Sequence, residues 1–101
     1  MVTFVDITGR EFTLEFQHLY EREIKMSDGT TAWLASDHPM GTRAILYAGN
    51  SFLTEAEVWC HYKDQFSKAE GRKRSLTKLL SDFDRPFRTM IWNLYWEFHK
   101  R

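Results

Sequence analysis

In Ala56-Glu57-Val58-Trp59-Cys60-His61-Tyr62-Lys63-Asp64-Gln65-Phe66-Ser67-Lys68-Ala69-Glu70-Gly71-Arg72-Lys73 the period of the chain changes. Up to Tyr62 the residues alternate in the manner of a half-buried strand. From there Phe66, Ala69, Lys73, Leu76, Leu80 and Phe83 recur at helical steps, with Leu79 widening the stripe. Strands before this point and helices after it predict an α+β fold: an N-terminal antiparallel meander of four or five strands, then two amphipathic helices. The expected organisation is a single domain, 1–101, with 1–62 mostly strands and 63–101 two helices.

Upstream, Val2, Phe4 and the Phe12-Leu14-Phe16 alternation have period two, with Ile7-Thr8-Gly9-Arg10 as a candidate tight turn. His18 to Ile24 reads equally as strand or short helical turn. Ser27-Asp28-Gly29-Thr30 carries an Asp-Gly turn signature before Thr31-Ala32-Trp33-Leu34, and Asp37-His38-Pro39-Met40-Gly41 breaks the pattern again. Ala44-Ile45-Leu46-Tyr47-Ala48 reads as a strand closed by Gly49-Asn50.

Downstream, Ser67 with Glu70 forms a candidate capping box, and Asp64 is an alternative cap. Gly71 is a weak point that costs about 1 kcal/mol relative to alanine, and it would permit close approach by another backbone or a ligand. Asp84-Arg85-Pro86 opens a second helix, because proline is tolerated in a first turn. Phe87, Ile91, Leu94 and Phe98 form its apolar stripe, Trp92, Tyr95 and Trp96 broaden it, and Lys100 and Arg101 suit its C-terminus.

With 101 residues, 43% apolar and 16% aromatic, the chain holds enough for one modest core and is not a disordered polypeptide. Cys60 is the only cysteine, which precludes an internal disulfide and fits a reducing compartment. No segment approaches the roughly 20 apolar residues of a membrane span. A soluble, cytoplasmic protein is expected.

Charge is segregated although it sums to zero. Residues 1–60 carry four cations (Arg10, Arg22, Lys25, Arg43) against nine carboxylates, and residues 61–101 carry ten against five. The densest basic run is Lys68, Arg72, Lys73, Arg74 and Lys78. Such asymmetry points to a surface for an anion, a nucleic acid or an acidic partner. Arginine forks suit phosphates, and the helix N-terminus near Ser67 adds backbone N–H donors. Tyr62 and Phe66 flank the helix entrance and are candidates to stack on a base. The candidate ligand-binding residues are therefore Lys68, Arg72, Lys73, Arg74, Lys78, Tyr62 and Phe66. Trp92, Tyr95 and Trp96 are candidates for an oligomer interface.

No enzyme signature accompanies these residues. The four histidines and Cys60 lack zinc-ligand spacing, Ser67 lacks a nucleophile-elbow context, and Asp37-His38 reads as a turn before Pro39. No catalytic residue, metal site or cofactor is expected.

Residues 60–80 resemble a segment of small bacteriophage proteins, C-x-x-K-D-x-F-x-K-x-x-G-R-K-x-x-L, through Cys60, Lys63, Asp64, Phe66, Lys68, Gly71, Arg72, Lys73 and Leu76. The likeness covers about a fifth of the chain. Arg74-Ser75 replaces the small apolar pair usual after Lys73. The resemblance implies a phage or prophage source, a host-cytoplasmic setting and an α+β fold. Some proteins of this appearance antagonise bacterial immunity, among them oligomeric sponges for cyclic-nucleotide signals of Thoeris-type defence. The expectation is thus a non-enzymatic counter-defence protein, homo-oligomeric, whose partner is a phosphate-bearing small molecule. The alternatives are an anti-CRISPR or host-takeover inhibitor that masks a host defence protein, with Glu11, Glu15, Glu21, Glu23, Asp28 and Asp37 mimicking nucleic acid, and a small nucleic-acid-binding protein.

Overall fold

The fold is α+β, and the computed structural model describes residues 2–6, 9–60 and 65–99. Six antiparallel strands, β1 (Val2–Val5), β2 (Glu11–Leu19), β3 (Glu21–Lys25), β4 (Thr31–Ala35), β5 (Gly41–Ala48) and β6 (Ser51–Trp59), precede helices α1 (Lys68–Leu80) and α2 (Arg85–Phe98). Four strands form one sheet in the order β1-β2-β5-β6, and β3 and β4 form a separate hairpin.

The sheet is amphipathic because its strands alternate. Phe4, Phe12, Leu14, Ala44, Leu46 and Ala56 are buried on one face, where they meet Leu76, Leu79, Leu80, Ile91 and Tyr95 of the helices. On the opposite face Arg43 bonds Glu57 at 3.1 Å, approaches Glu55 at 3.8 Å and reaches Gln17 at 3.4 Å, and the Tyr47 hydroxyl donates to Glu15 at 3.3 Å. Glu55 and Glu57 flank the one guanidinium and Glu15 pairs with Tyr47 instead, so carboxylates outnumber cations among these groups of the helix-free face.

Both helices begin where local chemistry places them. Ser67 Oγ accepts the Glu70 N–H at 3.2 Å, and Asp84 Oδ1 accepts the Phe87 N–H at 3.1 Å. The reciprocal arm of the expected capping box is not made, because the Glu70 carboxylate instead accepts from Arg74 Nε at 2.9 Å. Asp64, the alternative cap, lies outside the described residues, as do Lys100 and Arg101.

The strand count exceeds four or five because the ambiguous His18–Ile24 stretch is extended throughout. The β2–β5 ribbon continues past its sheet: Met40 N–H donates to the Leu19 carbonyl at 2.7 Å and Ser36 N–H to the Tyr20 carbonyl at 3.0 Å, while residues 37–39 loop out between them. Beyond this excursion β3 and β4 project as an arm whose residues from 20 to 38 are all exposed. The last strand starts at Ser51, earlier than Ala56, and a bulge between Leu46 and Tyr47 shifts its register. No described helix is long and apolar enough to cross a membrane.

Candidate functional site

Where the arm leaves the body, a groove of about 780 Å³ opens between them. Arg22, Ile24 and Leu34 form its arm wall, Met40 and Trp59 lie at the end of the sheet, and Phe66 and Lys68 lie at the start of α1. Trp59 is held flat on β5 because its cross-strand partner is Gly41. A Cβ at Gly41 would lie 2.6 Å from the indole and 2.7 Å from the Val58 carbonyl oxygen, so only glycine accommodates this arrangement. The Arg22 guanidinium sits 4.9 Å from the centre of the Trp59 ring, within range of a cation–π attraction. Lys68 adds a second cation across the groove.

The basic run does not form one surface, because 3.6 residues per turn distribute it around α1. Lys68 enters the groove. Arg74 is exposed, pairs with Glu70, and borders a smaller hollow of about 310 Å³ that shares Trp59 and Phe66 with the groove. Arg72 and Lys73 face α2 across a third hollow of about 360 Å³ lined by Tyr95, Trp96 and His99. The Lys73 ammonium lies 5.6 Å from the centre of the Trp96 ring, and Arg72 Nε is buried without a hydrogen-bond partner. Lys78 is committed to structure: its Nζ donates to the Glu57 carbonyl at 2.9 Å, tying α1 to β6. Phe66 is half-buried and packs edge-on to His18 at 5.8 Å, so it supports the groove as much as it lines it. Tyr62 lies outside the described residues.

The three candidate interface aromatics also separate. Tyr95 is 2% exposed and belongs to the core, Trp92 is half-buried, and Trp96 is 45% exposed. Arg22 was not legible as a groove-lining group, since it sits between Glu21 and Glu23 in a run without apolar alternation. Trp59 was legible as an aromatic flanking the passage from the last strand to the first helix, but its seat on Gly41 follows from strand pairing that the sequence does not show.

His18 stands beneath this region, half-buried, with Nδ1 3.2 Å from Thr42 Oγ1. Burial first, and then the charges of Lys68 and Arg72, hold its pKa below the ordinary value. The unfolded chain therefore takes up this proton more readily. The associated stability is present above the ordinary pKa of about 6.5 and is lost as pH falls below it. The melting temperature of the wild type should fall more steeply between about pH 7 and pH 5 than that of His18→Gln; parallel profiles would refute this.

Among the described residues no group of three histidine, cysteine or carboxylate side chains is placed to hold a metal ion. Comparison with protein families, with curated proteins and with solved structures finds no match. What the groove accepts must therefore be read from its own geometry.

Proposed function

We propose that this chain is a non-enzymatic binding protein that takes a small, flat, anionic ligand of nucleotide type into the groove between arm and body. One observation carries the reading: Trp59, Arg22 and Lys68 meet in a single cavity, so an aromatic platform and two cations face the same space. β5 covers one face of the indole and the Arg22 guanidinium the other. A base therefore stacks there by displacing Arg22 from the ring, which frees its fork for a phosphate; such stacking contributes about 1–3 kcal/mol. A phosphate can be met by the Arg22 fork and the Lys68 ammonium. Ile24 and Leu34 of the arm add apolar surface beside those cations.

In biological terms this is the phage counter-defence reading, in which the protein sequesters a cyclic-nucleotide-type signal. Dispersal of the cations around α1 disfavours the alternative of a continuous phosphate track for DNA or RNA. The test is calorimetry against a panel of cyclic nucleotides and ADP-ribose derivatives. Binding by the wild type should weaken about tenfold or more in Trp59→Ala, with Arg74→Ala unaffected. Silence of the wild type across the panel would refute the proposal, as would equal affinity in Trp59→Ala.

A further inference from the structure

Strand edges are the natural sites of strand addition, and proteins protect them with charge, proline, shortness or cover. Most edges here are protected. β1 is only four residues long. β6 carries Glu55 and Glu57, and Lys78 caps the Glu57 carbonyl. β3 holds Glu21, Arg22, Glu23 and Lys25 within five residues. β4 is different: Thr31-Ala32-Trp33-Leu34-Ala35 has no charge and no proline, and every residue in it is exposed.

The hairpin register tells which backbone groups that edge offers. Met26 N–H donates to the Thr30 carbonyl and Ser36 N–H to the Tyr20 carbonyl. Because hydrogen-bonded and non-hydrogen-bonded pairs alternate along an antiparallel ladder, Ile24–Ala32 and Arg22–Leu34 are the bonded pairs between these two limits. Thr31, Trp33 and Ala35 therefore direct their N–H and C=O groups away from β3. A two-stranded hairpin alone is marginally stable in water, and three or more strands are needed for independent stability. The arm lacks those strands, and it exposes Trp33 at 71%, Met26 at 49% and Leu34 at 48%.

We propose that β4 pairs antiparallel with β4 of a second copy of this chain, joining two arms into one four-stranded sheet. The strand is self-complementary. Aligned over its full length with itself, it sets Trp33 against Trp33 at the twofold axis and Thr31 against Ala35 on either side. All three residues then bond through their outward groups, six backbone hydrogen bonds in all, and no like charges meet. The same full-length alignment of β3 would oppose Glu23 to Glu23. An isologous pairing of this kind closes at two copies, and because the arms project, the two bodies lie apart. The groove is not required for this pairing, so the dimer stands or falls independently of ligand binding.

Light scattering over a dilution series tests it. The wild type should show twice the chain mass and dissociate on dilution. Trp33→Pro removes an N–H that the hairpin itself does not use, and Trp33→Lys places two ammonium groups across the axis; both should be monomeric. Glu23→Gln, on the other edge, should remain dimeric. A wild type that is monomeric at millimolar concentration overturns the proposal, as does a dimer that survives both Trp33 changes. Amide exchange of the wild type gives a second reading that does not depend on a variant folding. Protection of the Thr31, Trp33 and Ala35 amides should rise with concentration, and exchange at unprotected rates at every concentration overturns the pairing.

Discussion

Gly71→Ala should destabilise the protein by about 1–3 kcal/mol, as overpacking of a filled site does, although alanine is the better helix former by about 1 kcal/mol. Gly71 lies on the buried face of α1 where the helix crosses β5. An added Cβ would overlap Thr42 Oγ1, and would stand 3.2 Å from Thr42 Cβ and 3.4 Å from Phe66 Cζ. Thr42 cannot rotate away at no cost, because it is 0% exposed and its hydroxyl is bonded to His18 at 3.2 Å. For a domain of this size each kcal/mol shifts the melting temperature by about 4–8 °C. The variant should melt well below the wild type, and adding Thr42→Ala should restore part of the loss by making room. A Gly71→Ala protein that melts at or above the wild type would show that the helix is not seated this closely.

Gly71 also shows how far the sequence reads. Its cost within a helix is a local property, visible from the residue alone, and so is the expectation of a close neighbour. That the neighbour is Thr42 depends on a contact between residues 29 positions apart, and no local pattern encodes it. The helices were legible for the same reason: Ser67 and Asp84 cap within three residues, and Pro86 fits a first turn. The first strand of the arm was legible only as one of two readings, strand or helical turn, because alternation records burial on one face and the arm buries neither face. Its Asp28-Gly29 turn was legible, since Gly29 adopts φ 89°, which glycine alone tolerates readily. The start of β6 was hidden by the bulge after Leu46, which carries Phe52 and Leu53 to the surface.

The candidate site divides along the same line. Lys68 and Phe66 reach the groove because they sit at a junction that the change of period marks. Arg22 and Trp59 meet because the β2–β5 ribbon overshoots its sheet and folds an arm back above the end of β6. Neither residue carries a cue to that meeting within its own segment. The basic run looked continuous only because sequence order ignores rotation about the helix axis. Rotation sends Lys78 to the β6 backbone, Arg74 to Glu70, and Arg72 with Lys73 towards α2.

Tyr95→Ala should cost about 3–5 kcal/mol, the range for emptying a large aromatic site in a core, out of a total stability of about 5–15 kcal/mol for an ordinary domain. The ring is 2% exposed and joins elements distant in the chain: Phe16 of β2 at 5.9 Å edge-on, and Trp92, Trp96 and His99 along α2. Removing it takes away a buried contact between the C-terminal half of α2 and β2, leaving the edge-on contact of His99 with Phe16 at 6.2 Å. Trp96 stacks on Trp92 at 6.2 Å and carries the Lys73 ammonium above it, yet remains 45% exposed, so Trp96→Ala should cost much less. Denaturant titration of the two variants separates the roles that adjacent aromatics look able to share. If Tyr95→Ala unfolded at the wild-type midpoint while changing the mass in solution, the ring would be an assembly contact rather than a core one. A large loss of stability with Tyr95→Phe near wild type would place the ring, and not its hydroxyl, at the joint between helix and sheet.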